Sequence, residues 1–226
     1  MTPFRTLPAD HRTRIKICGL TRAEDLDAAV ALGADAVGFV FYPPSKRCLA
    51  LDQARALRDR VPAFVSVVAL FVNPSQDEVA AVMREARPSL LQFHGDETPE
   101  QCESFGVPYL KAFRVGAPGL ATPQALAQTC AQYARADGWL FDSFSQGYGG
   151  SGASFDHALL AGLDRASRRP CVVSGGLTPE SVESVVRSLR PWAVDVSSGV
   201  ETSPGVKSVE RMRDFIQAVA RADQPL

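Results

Sequence analysis

The feature that most constrains this chain is an alternation, kept up from end to end, of short apolar runs with longer segments of helical period. The runs cover residues 14–18, 36–39, 64–71, 90–93, 109–113, 139–142, 171–174 and 193–196. Each is short and mostly apolar, as a strand buried on both faces requires. Between them lie helical patterns at 23–32, 51–58, 76–87, 122–135, 179–189 and 207–221, several opened by a Ser, Thr or Asp cap or an early proline. This βα unit, repeated eight times, predicts an α/β fold of the closed (β/α)8 TIM-barrel type, although an open doubly wound sheet shares the local pattern. Position separates the two. A barrel delivers every strand's C-terminal end to one face, and the unusual residues here all follow strands: 18–19, 41–47, 71–73, 92–97, 114, 142–143, 174–176 and 197–199.

At 226 residues the chain is close to the roughly 250 of a typical single barrel, and no Pro/Gly/Ser-rich linker divides it. One catalytic domain is expected over residues 14–226, preceded by a flexible N-terminal extension at 1–13. Hydrophobic residues at 46% and charged residues at 22% are globular values, and a formal net charge of −1 offers no long-range attraction to nucleic acid or an anionic membrane. Small-molecule partners are therefore expected. No apolar run approaches the roughly 20 residues that span a bilayer, and the N-terminal stretch carries charges where a signal peptide is apolar, so a cytoplasmic location is expected. The five cysteines are odd in number and form no CxxC pair, and His11, His94 and His157 lack metal-ligand spacing, which argues against a disulfide framework or a metal site. Helices rich in Ala and Arg show no large apolar patch, so a monomer is expected rather than a homodimer.

Asp142 stands where an apolar strand stops, beside the glycine-rich segment Gly149-Gly150-Ser151-Gly152. The pairing suggests acid catalysis on a phosphorylated substrate, Gly150 and Gly152 letting backbone amides approach an anion closely; an N-cap acid and a flexible turn is the plain alternative. Gly175-Gly176 and Ser198-Gly199, after the seventh and eighth strands, fall where barrels bind phosphate. Cys18 ends the first strand, and its thiol is either a base at the barrel mouth or an inert core residue. The role of Lys16 is open. Arg47, in a loop stiffened by two prolines, either forks a carboxylate or belongs to a solvated basic loop. His94 either lines the pocket or bonds Asp96 across a turn.

The motifs Lys-Ile-Cys-Gly-Leu-Thr at 16–21, Gly-Phe-Val-Phe at 38–41, Pro-Ser-Lys-Arg at 44–47 and Leu-Gln-Phe-His-Gly-Asp-Glu at 91–97 occur in a particular order. Phe-Asp-Ser at 141–143, Gly-Gly-Ser-Gly at 149–152, Ser-Gly-Gly-Leu at 174–177 and Asp-Val-Ser-Ser-Gly-Val-Glu at 195–201 complete it. In this order they resemble phosphoribosylanthranilate isomerases of tryptophan biosynthesis, over residues 14–216. The resemblance implies a barrel that converts N-(5-phosphoribosyl)anthranilate to 1-(2-carboxyphenylamino)-1-deoxyribulose 5-phosphate by an Amadori rearrangement, with no cofactor. It also implies Cys18 as general base, Asp142 as general acid, Arg47 on the anthranilate carboxylate, and Gly175, Gly176, Ser198 and Gly199 on the phosphate. Ala153 departs from the pattern, where many relatives carry a longer polar side chain. A histidine-pathway aldose–ketose isomerase relies on an aspartate pair and is disfavoured by the cysteine in the first position, and a non-catalytic phosphate-binding barrel is disfavoured because acid, base and phosphate loops coexist.

Overall fold

Eight parallel strands close on themselves in chain order: β1 (Arg14–Cys18), β2 (Ala36–Val40), β3 (Ser66–Phe71), β4 (Leu90–Phe93), β5 (Tyr109–Val115), β6 (Gly138–Ser143), β7 (Cys171–Val173) and β8 (Ala193–Val196). The ladder that completes the barrel pairs β8 with β1, setting Lys16 opposite Asp195. The computed structural model describes residues 11–144, 154–163 and 169–224. The TIM barrel expected from the repeat is thus the observed fold, and the open sheet is excluded by closure.

Around the strands run α1 (Ala23–Ala31), α2 (Leu51–Arg58), α3 (Gln76–Ala86), α4 (Pro99–Glu103), α5 (Pro123–Gln132), α6 (Val182–Leu189) and α7 (Val209–Ala222). The caps expected at Ser75 and Thr122 form, and Thr98 and Ser208 cap helix starts that the sequence reading did not place. Ser75 accepts from the Glu78 amide, Thr98 from Gln101, Thr122 from Ala125 and Ser208 from Arg211, so each hydroxyl satisfies a donor that a helix start leaves unpaired.

Alternate residues of each strand point to opposite faces, and the main core lies between strands and helices. There Phe71 and Phe93 stack at 6.2 Å and Phe113 and Phe141 at 5.9 Å between ring centroids. Burying each such ring stabilises the fold by roughly 1.5–3 kcal/mol. A small second cluster of Ala112, Leu140, Val172 and Ala193 fills the barrel itself, with Trp192 packed against it. That apolar plug leaves the polar inward residues at the opposite, C-terminal end of the strands.

Several boundaries differ from the sequence reading, each for a local reason. β3 begins at Ser66 rather than at Phe64, whose φ of 71° is left-handed and cannot join a ladder. The five-residue α4 is too short to show a period, and the described stretch between β6 and β7 holds a 3-10 helix (His157–Gly162) in place of an α-helix. The last helix starts at Val209; Lys207 belongs instead to a hairpin of β9 (Glu201–Ser203) and β10 (Val206–Lys207). Of the extension assigned to 1–13, residues 1–10 lie outside the described residues. Thr13 donates from its amide and its hydroxyl to the Asp223 carboxylate at 2.8 and 2.7 Å, and the His11 ring stacks on Trp192.

Candidate active site

A cavity of about 330 Å³ opens at the C-terminal ends of the strands. Cys18, Arg47, His94, Asp142, Gly175, Gly176, Ser198 and Gly199, singled out from the sequence, all line it. Gly150 and Gly152 lie outside the described residues.

Cys18 is the last residue of β1 and buried, two positions beyond Lys16 on the same face of the strand. The Lys16 ammonium donates to Asp195 at 2.9 Å from within the barrel. Burial works against its charge, but the Asp195 carboxylate and the Cys18 sulfur outweigh burial and hold it above the ordinary lysine value. Burial likewise pushes the Cys18 thiol up, and the Lys16 ammonium draws it only part of the way back. Lys16, left without a role by the sequence, is thus the cation that faces the thiol. Of the other cysteines, Cys102, Cys130 and Cys171 are buried core residues, as expected.

Asp142 sits near the end of β6, with Oδ1 accepting from the Ser143 amide at 2.8 Å. Its Oδ2 lies 3.1 Å from His94 Nε2, at ion-pair distance but without the alignment of a hydrogen bond, so Nε2 has no hydrogen-bond partner among the described residues. On the other ring edge Nδ1 is 3.1 Å from the Gln92 side-chain amide. With that amide donating, Nδ1 is the acceptor and Nε2 carries the proton, 3.1 Å from the Asp142 carboxylate. His94 therefore reaches the pocket. Asp96, the turn partner weighed for it, instead accepts from Arg114 at 3.0 Å.

Arg47 forks a carboxylate, but that carboxylate belongs to the chain itself. Nε and Nη2 donate to the two oxygens of Glu201 at 2.8 and 2.6 Å. The same Glu201 accepts from Lys207 at 2.7 Å, and Lys207 also donates to the backbone oxygens of Cys18 at 2.6 Å and Ser197 at 3.1 Å. Burial opposes the charge on both partners. For Glu201 the two cations prevail and lower its pKa, whereas for Lys207 desolvation prevails and lowers its pKa as well. Sequence reading missed Glu201, Lys207 and Asp195 as site residues. The turn dipeptide Pro204-Gly205 was the available signal for a hairpin here, whose return strand takes up Lys207 before the helix begins.

Gly175 and Gly176 have φ values of 80° and 63°, a conformation that turns the chain sharply after β7. After β8, Ser198–Val200 forms a single 3-10 turn beneath Leu177. A Cβ on Gly199 would lie 1.9 Å from the Leu177 carbonyl oxygen, so only glycine lets the two loops meet. Two closely packed, glycine-bearing turns on adjacent strands form one wall of the cavity, with Cys18 and Asp142 on others.

The profile of the N-(5′phosphoribosyl)anthranilate (PRA) isomerase family matches residues 15–218. The chain belongs to this family. It is an isomerase of tryptophan biosynthesis. An N-(5′-phosphoribosyl)anthranilate isomerase of Bordetella parapertussis is 60% identical over 215 residues, covering 94% of this chain and 98% of its own. Among solved structures, the phosphoribosyl anthranilate isomerase of Thermus thermophilus shares 40% identity at a TM-score of 0.81, over 92% of this chain and 99% of its own. A further isomerase structure is a complex with reduced 1-(o-carboxyphenylamino)-1-deoxyribulose 5-phosphate; it shares 35% identity at a TM-score of 0.79, over 92% of this chain and 99% of that one. Among the described residues no helix is long and apolar enough to cross a membrane, and no cluster of three or more His, Cys, Asp or Glu could hold a metal ion.

Proposed function

We propose that Cys18 and Asp142 divide the proton transfers of the family's reaction, which turns N-(5′-phosphoribosyl)anthranilate into 1-(2-carboxyphenylamino)-1-deoxyribulose 5-phosphate. The observation that carries this reading is that one cavity holds a thiol on β1, a carboxyl group on β6 and the glycine turns after β7 and β8. With phosphate on those turns, the ribose ring lies between acid and base.

Asp142, protonated, delivers its proton to the ring oxygen as the C1–O bond breaks, and the anthranilate nitrogen lone pair closes an iminium. That cation acidifies the C2 proton. Cys18 as thiolate removes it, neutralising the iminium to an enolamine. Ketonisation adds a proton at C1 and releases the O2 proton, returning both groups to their starting states. Burial raises the thiol pKa, so the reacting enzyme is the fraction in which Cys18 has already lost its proton to solvent, and Lys16 together with the cation formed by the acid step favours that thiolate. His94, beside Asp142 Oδ2, stabilises the carboxylate left after donation.

Arg47 is assigned to the anthranilate carboxylate. Arg47→Ala is expected to raise KM about tenfold to a hundredfold, the worth of charge-assisted hydrogen bonds, with a smaller change in kcat; steady-state kinetics read both. Gly199→Ala is expected to cost about 1–3 kcal/mol of stability, because the methyl group forces the Leu177 backbone away, and to raise KM through the displaced phosphate turn. Thermal unfolding beside the same assay checks it; an unchanged melting temperature would contradict the contact.

The direct test of the reaction is the decay of phosphoribosylanthranilate fluorescence on adding the purified protein. We place the protein in the cytoplasm, as its composition suggests. Among the described residues, the exposed large apolar side chains Leu51, Phe64, Phe144 and Val209 lie on different segments, which supports a monomer. Sedimentation at assay concentration tests that reading.

A further inference from the structure

The Arg47–Glu201 fork is a substantial commitment for a residue assigned to a substrate carboxylate. The two side chains are 154 positions apart and come from the loop after β2 and from the hairpin after β8. Both are nearly buried, with side-chain exposures of 13% and 4%, and Lys207, completing the cluster, has 0%.

Three details show how the arrangement is held. The hairpin register sets Lys207 opposite Glu201 and places both on the same side of the ribbon. The Lys207 backbone amide donates to buried Asp25 at 3.0 Å, and the hairpin turn is fixed by the Thr21 hydroxyl on Gly205 O at 2.6 Å. On the other side, a Cβ at Gly19 would come within 2.4 Å of Arg47 Cδ, so the arginine stem passes over a position that only glycine leaves open.

An arginine has five N–H donors, and Glu201 engages only the Nε and Nη2 side of the guanidinium. A fork at the other end, through Nη1 and the second Nη2 hydrogen, suits one more carboxylate. The charges agree. Two cations, Arg47 and Lys207, share the single carboxylate of Glu201, so this three-residue cluster has an excess positive charge, and Arg47 is the member that reaches the cavity wall. Burial of an unbalanced cation is unfavourable, and an incoming anion relieves it.

We propose that Glu201 is a positioning residue for the reaction, turning Arg47 so that the Nη1–Nη2 end of the guanidinium receives the carboxylate of the anthranilate ring. Through Lys207, which bonds Glu201 and the Cys18 carbonyl oxygen, the same hairpin ties the carboxylate-binding end of the pocket to the strand that bears the thiol. Glutamine at 201 keeps the size but loses the charge, and it presents an NH2 group to one of the two arginine donors.

The proposal rests on the assignment of Arg47, so the test is a double-mutant cycle in which the two can fail separately. Glu201→Gln is expected to raise KM about tenfold with kcat changed less than about twofold, and to have almost no effect on KM when Arg47 is already Ala. An unchanged KM in the single variant, or the same rise in both backgrounds, overturns the positioning role. A fall in KM overturns it too, since Glu201 would then be competing with substrate for Arg47. A normal KM in Arg47→Ala alone overturns the arginine assignment and this proposal with it. Thermal unfolding of each variant separates these effects from loss of fold, and Glu201→Asp, which keeps the charge, serves in the cycle if the glutamine variant does not fold.

Discussion

Cys18→Ser is expected to lower kcat by about two to four orders of magnitude, the usual worth of a positioned proton-transfer group, while the protein stays folded. A serine hydroxyl fills nearly the same volume against Lys16 but does not ionise in the accessible pH range, so the C2 proton has no base. The pH profile makes the test specific. A base must be deprotonated to act, so kcat/KM rises with pH until the thiol has titrated. Because burial raises the Cys18 pKa above the ordinary thiol value, that rise should continue beyond the point where an exposed cysteine would level off. The ascending limb should vanish in Cys18→Ser. Near-normal turnover in that variant, or an unchanged limb, would remove Cys18 from the role of base.

Asp142→Asn is expected to produce a loss of similar size, again about two to four orders of magnitude in kcat, with KM changed far less. Asparagine preserves the acceptor that takes the Ser143 amide and remains beside His94, so the loop after β6 keeps its local contacts. What it lacks is an acidic proton for the ring oxygen, and without that proton the furanose does not open. A purified variant that turned over substrate at close to the normal rate would eliminate the proposed acid. Equal losses in kcat and kcat/KM are the expected signature, because the interaction is made only as the bond breaks.

Much of this architecture is legible in the amino-acid order. Strand boundaries that rest on uninterrupted apolar runs agree within a residue or two, and the cap residues Ser75, Thr98 and Thr122 act at the helix starts where they occur. The reason is that apolar runs, caps and glycine turns are governed by neighbours a few positions away, whose spacing is printed in the chain. The same holds for the cavity wall: Gly175, Gly176 and Gly199 mark sharp turns or close approaches that no other residue makes cheaply.

The local rule failed where short elements leave no period to read. Lys207 follows Pro204-Gly205 and pairs in a two-residue strand, and its helical surroundings downstream drew it into the wrong element. Phe64 sits in a left-handed turn that its apolar character disguised as the start of a strand.

By itself, then, the amino-acid order determined the eightfold βα repeat, the one face on which chemistry gathers, and the residue types available there. Only the tertiary structure decided the pairings across that face: Lys16 with Asp195, 179 positions away, His94 with Asp142, and Arg47 with Glu201. Those partners are brought together by closure of β8 onto β1 and by the loops that cross the mouth, and closure is a property of the whole ladder that no window of neighbouring residues contains.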